Sequence, residues 1–290
     1  MSRAIKMRRA VGTHGTLHRI ADLQKRHDTK QTLPTLLCDS PGCGASVKFV
    51  AEHGYIGLNK GAEHQPGCRY NAPSYLQSLL STGADPDVLL AMGDGKYELR
   101  LLILQQALKR AGGGEPGASP LEGYLRTLAD LLVLGAMCES DALLAAQVTL
   151  RLGKKKVDWD NFFHTQERYD AAWERLGSST TDLPMALVGT VRSHRSPQPG
   201  SMFLNCAPKY QQTGVADRRD FYEVSVGHAD AAWLQSFPVG AEIVMFGLWR
   251  QGRSSTSSRP HPTDPRRTIT SVTHKLALWP SFKQQLARVE

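Results

Sequence analysis

Cys38 and Cys43 stand five residues apart, His64 and Cys68 stand four apart, and twenty residues separate the two pairs. Three thiols and an imidazole are soft or borderline donors, and two short-range pairs joined by a loop can close a tetrahedron around zinc. Gly42 and Gly44 flank Cys43 and Gly67 precedes Cys68, which gives both turns the backbone freedom of a metal knuckle. His53 is a reserve for His64. Four protein ligands leave no open coordination position, so the expected Zn2+ is structural rather than catalytic. Cys138 lies in a leucine-rich run and Cys206 in an alternating one, and both are expected as buried core thiols. Five cysteines, three of them grouped with a histidine, fit metal binding in a reducing cytoplasm better than a disulfide framework.

Other catalytic patterns are missing. The chain has no Gly-x-x-x-x-Gly-Lys-Ser/Thr phosphate loop, no Gly-x-Ser-x-Gly elbow and no His-Glu-x-x-His. The glycine-rich run 112–117 carries Glu115 and Pro116 where a phosphate loop needs lysine, and reads as a flexible break. Asp158, Asp160, Glu167 and Asp170 surround Trp159 without the lysine or repeated spacing of a nuclease set. The expectation is a non-enzymatic protein.

Charge is divided unevenly along the 290 residues. Residues 1–71 hold 11 Lys and Arg against 5 Asp and Glu, residues 72–182 hold 11 against 15, and residues 183–290 hold 13 against 7. Two basic ends flanking an acidic middle suggest polyanion contacts at both ends. No run of eighteen apolar residues suggests a membrane span, and no apolar segment follows the basic N-terminus as in a secretory signal.

The elements that must position these residues divide into four segments. Residues 1–30 read as a basic arm with a short amphipathic helix around Leu17, Ile20 and Leu23, closed by Lys25, Arg26 and Lys30. Residues 31–71 are the zinc-binding module, with strands expected at Ala45–Val50 and Tyr55–Leu58. Residues 72–178 read as an all-α middle module. Its helices are expected from Pro73, from Asp85-Pro86, over Lys96–Ala111, from Ser119 toward Cys138, from Ser140 or Asp141 through Leu152, and over Asp160–Leu176. Lys154-Lys155-Lys156 then complements a helix C-terminus. Residues 183–280 alternate. Five strands are expected at Met185–His194, Met202–Ala207, Phe221–Gly227, Glu242–Arg250 and Thr268–Trp279, with a small helix at Ala229–Ser236 and a long arginine-rich loop over 251–267. The fold class is multidomain α+β: a zinc module, an all-α middle and a C-terminal five-stranded β-barrel.

The runs Leu187-Val188-Gly189-Thr190-Val191, Phe221-Tyr222-Glu223-Val224-Ser225-Val226 and Pro238 through Gly247 carry a resemblance. Over about 100 residues the C-terminal segment resembles OB-fold domains of the single-stranded-DNA-binding-protein type, including small ones carried on mobile elements. The Cys38–Cys68 window resembles small zinc-ribbon and zinc-finger modules. The OB likeness implies a strand lying across the second and third strands, between the loops joining strands one and two and strands four and five. Arg192 and Arg195 approach the first loop, and Lys209, Arg218 and Arg219 lie between strands two and three. Arg250, Arg253, Arg259, Arg266 and Arg267 populate the last loop. Phe203, Phe221 and Trp249, with Tyr210 in a loop, are the expected stacking rings.

These features together suggest a cytoplasmic protein that binds nucleic acid, single-stranded DNA or RNA, with the acidic middle facing protein partners. The alternative is a zinc-containing subunit of a larger replication, conjugation or defence complex acting mainly through protein contacts.

Overall fold

The structure, a computed structural model, describes residues 7–71, 74, 76–78, 89–111, 121–137, 142–178, 182–198, 200–212, 215, 217–264 and 266–289. Five short strands open it: β1 (Arg9–Gly12), β2 (Leu17–Arg19), β3 (Leu36–Cys38), β4 (Ser46–Val50) and β5 (Tyr55–Leu58). They pair antiparallel in the order β2-β1-β3-β4-β5. This sheet rolls far enough that Met7, just ahead of β1, exchanges two backbone hydrogen bonds of 3.0 Å with Ile56 on β5. α1 (Ile20–Asp28) follows β2 and buries Leu23 beneath it. Residues read as a basic arm thus supply two strands of the metal module, because Ala10 and Gly12 turn inward in alternation with Arg9 and Val11.

The middle is not all-α. It contains a four-stranded sheet, β6 (Leu89–Gly93), β7 (Lys96–Arg100), β8 (Val148–Leu152) and β9 (Lys155–Val157), in sequence order. β6 and β7 form a hairpin around Asp94 and Gly95, whose φ values of 51° and 68° are those of an Asp-Gly turn between twisted strands. β8 and β9 turn at Gly153-Lys154, with Gly153 at φ 61°. β7 and β8 run parallel. Their crossover carries α2 (Leu101–Ala111), α3 (Leu121–Met137) and α4 (Ala142–Gln147). The expected helix over Lys96–Ala111 therefore begins as a strand for its first five residues and is helical only from Leu101, and Lys154-Lys155-Lys156 sits on a hairpin rather than at a helix end. The expected starts at Pro73, Asp85-Pro86, Ser119 and Ser140 or Asp141 lie outside the described residues, as does Cys138. α5 (Trp159–Phe162), β10 (Phe163–His164) and α6 (Tyr169–Ser178) lead to the last part.

The C-terminal segment is not a closed five-stranded barrel. Its sheet is curled and ten-stranded. The strands are β10, β11 (Met185–Gln198), β12 (Ser201–Cys206), β13 (Lys209–Gln212), β14 (Arg218–His228), β15 (Glu242–Gly247), β16 (Arg250–Gln251), β17 (Ser255–Pro260), β18 (Thr268–Leu278) and β19 (Leu286–Arg288). The main path is β16-β18-β14-β12-β11-β15-β19, with β10 on β11, β13 on β14 and β17 on β18. The two ends of that path, β16 and β19, do not pair with each other among the described residues, so the sheet stays open. The five expected strands form, and the small helix forms as α7 (Ala231–Gln235). Five strands are additions: β13 and β17 fall in polar stretches that read as loop, β16 begins at Arg250, the expected end of the fourth strand, β19 lies beyond the expected barrel, and β10 comes from the middle segment.

β11 and β15 are buried on both sides. Met185, Leu187, Ile243 and Met245 face a core inside the curl that includes Leu204, Val224 and Leu276. Ala186, Val188, Val244 and Phe246 face outward into a second core shared with α3 and the N-terminal sheet. Nine residues of α3 are buried. No helix among the described residues is long and apolar enough to cross a membrane.

Candidate metal centre and outer sheet face

Cys38 ends β3, Cys43 lies in the turn before β4, and His64 and Cys68 lie in the loop beyond β5. Folding brings one donor atom from each to within 4.8 Å of the other three. Cys38 Sγ is 3.7 Å from Cys68 Sγ, and His64 Nδ1 is 3.4 Å from Cys43 Sγ and 3.6 Å from Cys68 Sγ. All four expected ligands meet, with His64 as the histidine; the side chain of His53 lies outside the described residues. Gly42, Gly44 and Gly67 have φ of 73°, 60° and 80°, the left-handed values a knuckle turn demands.

Backbone amides point at the sulfurs. The Ser40 N–H donates to Cys38 Sγ and the Tyr70 N–H to Cys68 Sγ, each at 3.4 Å. Burial alone would raise the Cys43 thiol, but the N–H groups of Gln65 and Ala45 outweigh it and hold Cys43 below its ordinary value. Burial drives Cys38 the other way, upward, and lowers His64, a shift that favours the neutral imidazole. The group is compatible with one metal ion.

A charged brace lies behind the ligands. Asp39 follows Cys38, and its carboxylate, 3% exposed, accepts from Arg9 Nε and from Arg69 Nη2, both at 2.5 Å. Arg69 follows Cys68, donates to the Tyr70 hydroxyl at 2.7 Å and lies over that ring. The two knuckles are thereby tied to each other and to β1. Arg8, just before β1, reaches further and pairs with Glu242 on β15. Sequence reasoning overlooks this brace; its signal is an acid directly after one ligand and a base directly after another.

The expected nucleic-acid residues are spread over the C-terminal sheet. Trp249 is in the core, 5% exposed, with its indole N–H donating to Met185 O. It cannot stack on a strand. Lys209 pairs with Asp170, Arg192 with Glu223, Arg218 with Asp220 and Arg267 with Asp217. Arg195, Arg219, Arg250, Arg253, Arg259 and Arg266 have no carboxylate partner among the described residues. The region 251–267 is largely an exposed ribbon, β17 on β18, rather than a loop.

Phe203 and Phe221 are on the sheet surface opposite the inner core, since their neighbours Met202, Leu204, Tyr222 and Val224 fill that core. Tyr210 sits directly across from Phe221, ring centroids 5.5 Å apart, and is 49% exposed. Phe203 sits across from Gly227, and Trp279, 56% exposed, lies edge-to-face with it at 6.1 Å. A Cβ on Gly227 would come within 2.6 Å of the Trp279 ring and 2.8 Å of Phe203, so only glycine leaves room for both rings. Trp279 is not among the expected stacking residues. It continues the outward alternation of Lys275 and Ala277, which is the signal that could have found it.

No protein-family model matches the chain, and no curated protein has significant similarity to it.

Proposed function

We propose that the chain is a non-enzymatic nucleic-acid-binding protein that favours single strands and is held together at its N-terminal end by a structural zinc ion. Zinc suits the donor set on distance. Bonds of about 2.3 Å to sulfur and 2.0–2.1 Å to nitrogen give a tetrahedron with S···S edges of about 3.8 Å and S···N edges of about 3.5 Å. The separations of 3.7, 3.4 and 3.6 Å match those edges. Bound there, the ion would offset two of the three thiolate charges, leaving the centre at −1, and fix two loops; with four protein donors it has no position left for substrate.

The binding reading rests on one observation: the sheet face turned away from the inner core holds exposed rings and uncompensated arginines together. Arg195 is the cross-strand partner of Phe203, Arg219 lies two residues before Phe221, and Arg250 pairs with Ala277 beside Trp279. Glu223, the carboxylate on the same face, is already neutralised by Arg192. Rings stack bases of any identity and arginines hold phosphates, which together give affinity without sequence reading. The acidic middle is less suited to partners than its charge suggests, because α3 is spent on the core.

A fluorescent thymidine oligonucleotide titrated at several salt concentrations tests this. Affinity should fall linearly with log salt, and replacing Arg195, Arg219 and Arg250 together by Ala should flatten the slope by about 2–3 units. Absence of binding at low salt removes the reading.

A further inference from the structure

Resting on that reading, we infer that the outer face holds a strand at two separate stacking stations and so measures a minimum length. One station is Tyr210 with Phe221; the other is Trp279 with Phe203 over Gly227. Both lie along β14, at Phe221 and at Gly227. Six residues of strand separate them, about 20 Å. About six stacked nucleotides fill that distance at 3.4 Å each, and fewer do when the strand is drawn out.

What lies between the stations is polar and ringless. β14 contributes Glu223 and Ser225, β12 contributes Asn205, and β18 contributes Lys275 and Ala277. Asn205 and Ser225 are buried and bonded to each other, Ser225 Oγ donating to Asn205 Oδ1 at 2.9 Å. Glu223 is held by Arg192. This stretch offers no ring to stack on, while Lys275 and Arg250 flank it with positive charge. Each station also has its own arginine: Arg195 opposite Phe203, and Arg219 just before Phe221. A strand would therefore be gripped at its two ends and only neutralised in the middle. A trinucleotide reaches one station; a decanucleotide reaches both.

The test uses the full chain, dT3 and dT10, and the variants Trp279→Ala and Tyr210→Ala. Both rings are about half exposed, so their removal should leave the fold and metal content unchanged, which circular dichroism and metal analysis verify. With dT10 each variant should lose roughly 5- to 150-fold in affinity, the range that stacking on one ring supplies. With dT3, which can use the remaining station, each variant should lose no more than about twofold. Equal losses on dT3 and dT10, or a loss from only one of the two variants, overturn the two-station arrangement while leaving strand binding itself in place. No binding of either oligonucleotide at low salt removes the proposed function instead.

Discussion

Replacing Cys43 by Ser removes the ligand whose thiolate the backbone most favours, since the Gln65 and Ala45 amides hold it below its ordinary value. The consequence is large because residues 7–71 have only a small core of their own, extended by the core they share with α3 and the outer face of β11 and β15. Apart from the cysteines, nine apolar side chains are buried there, among them Met7, Leu23, Phe49 and Ile56. A unit of that size is marginal without a staple. A site filled at a free-metal concentration a thousandfold above its Kd adds about 4 kcal/mol. Losing one of four ligands empties the site at trace metal, and for a two-state chain of 290 residues 4 kcal/mol is about 7 °C in Tm. Elemental analysis should find one metal per chain in the parent and far less in Cys43→Ser, and a thermal scan should place the variant beside the chelator-treated parent. Cys206→Ala, a change in the other core, should retain the metal. A full equivalent of metal in Cys43→Ser, with unchanged melting and no response to chelator, refutes the site.

Burial, reinforced by the charge of Arg168, lowers His164 from 6.5 to about 4. The unfolded chain then takes up the proton first, so stability is intact above pH 6.5 and falls as pH drops toward 4, by about 3 kcal/mol in total. Urea unfolding across that range should show the loss, and His164→Gln should remove most of it; an identical pH slope in the variant contradicts this. Gly227→Ala should push Trp279 and Phe203 apart, lowering strand affinity about fivefold or more with a stability cost of about 1–3 kcal/mol, because the added Cβ must displace a Trp279 ring that also stacks on His228. Near-ultraviolet circular dichroism reports the ring displacement, and an unchanged spectrum with unchanged binding argues against the paired rings. Gly95→Val places a branched side chain at φ 68° and should destabilise the β6–β7 hairpin by about 1–2 kcal/mol, read from the denaturation midpoint.

The clustered donor set is legible in the sequence because metal chemistry restricts residue type and spacing together, and β11, β12, β14, β15 and β18 are legible because each is long enough to show alternation. The middle misleads for a physical reason. Leu89-Leu90 and Tyr97-Glu98-Leu99 are too short to separate a period of 2 from one of 3.6, and they adjoin true helices rich in the same leucines. The deciding signals are Gly93-Asp94-Gly95 and Gly153-Lys154, turn chemistry rather than periodicity. The parallel pairing of Tyr97–Arg100 with Val148–Arg151 joins segments about fifty residues apart and leaves no local trace. β17 reads as loop because all six of its residues are exposed; an edge strand with no buried face has no apolar period to display. Trp249 is easily misassigned because an indole serves equally well in a core and on a base, and only its hydrogen bond to Met185 decides between them.

The double burial of β11 and β15 bears on how the protein can be taken apart. A cut near residue 182 separates segments that look independent in composition, yet the C-terminal piece would carry Ala186, Val188, Val244 and Phe246 on a bare outer surface. It would also lose the β10 strand that lies against Ala186 and Leu187. Such a fragment should aggregate or recruit its missing half, and the two pieces expressed together should reassemble. The outer sheet face with its rings and the N-terminal Cys/His module are thus parts of one cooperative object, and a purified fragment is a poor stand-in for either.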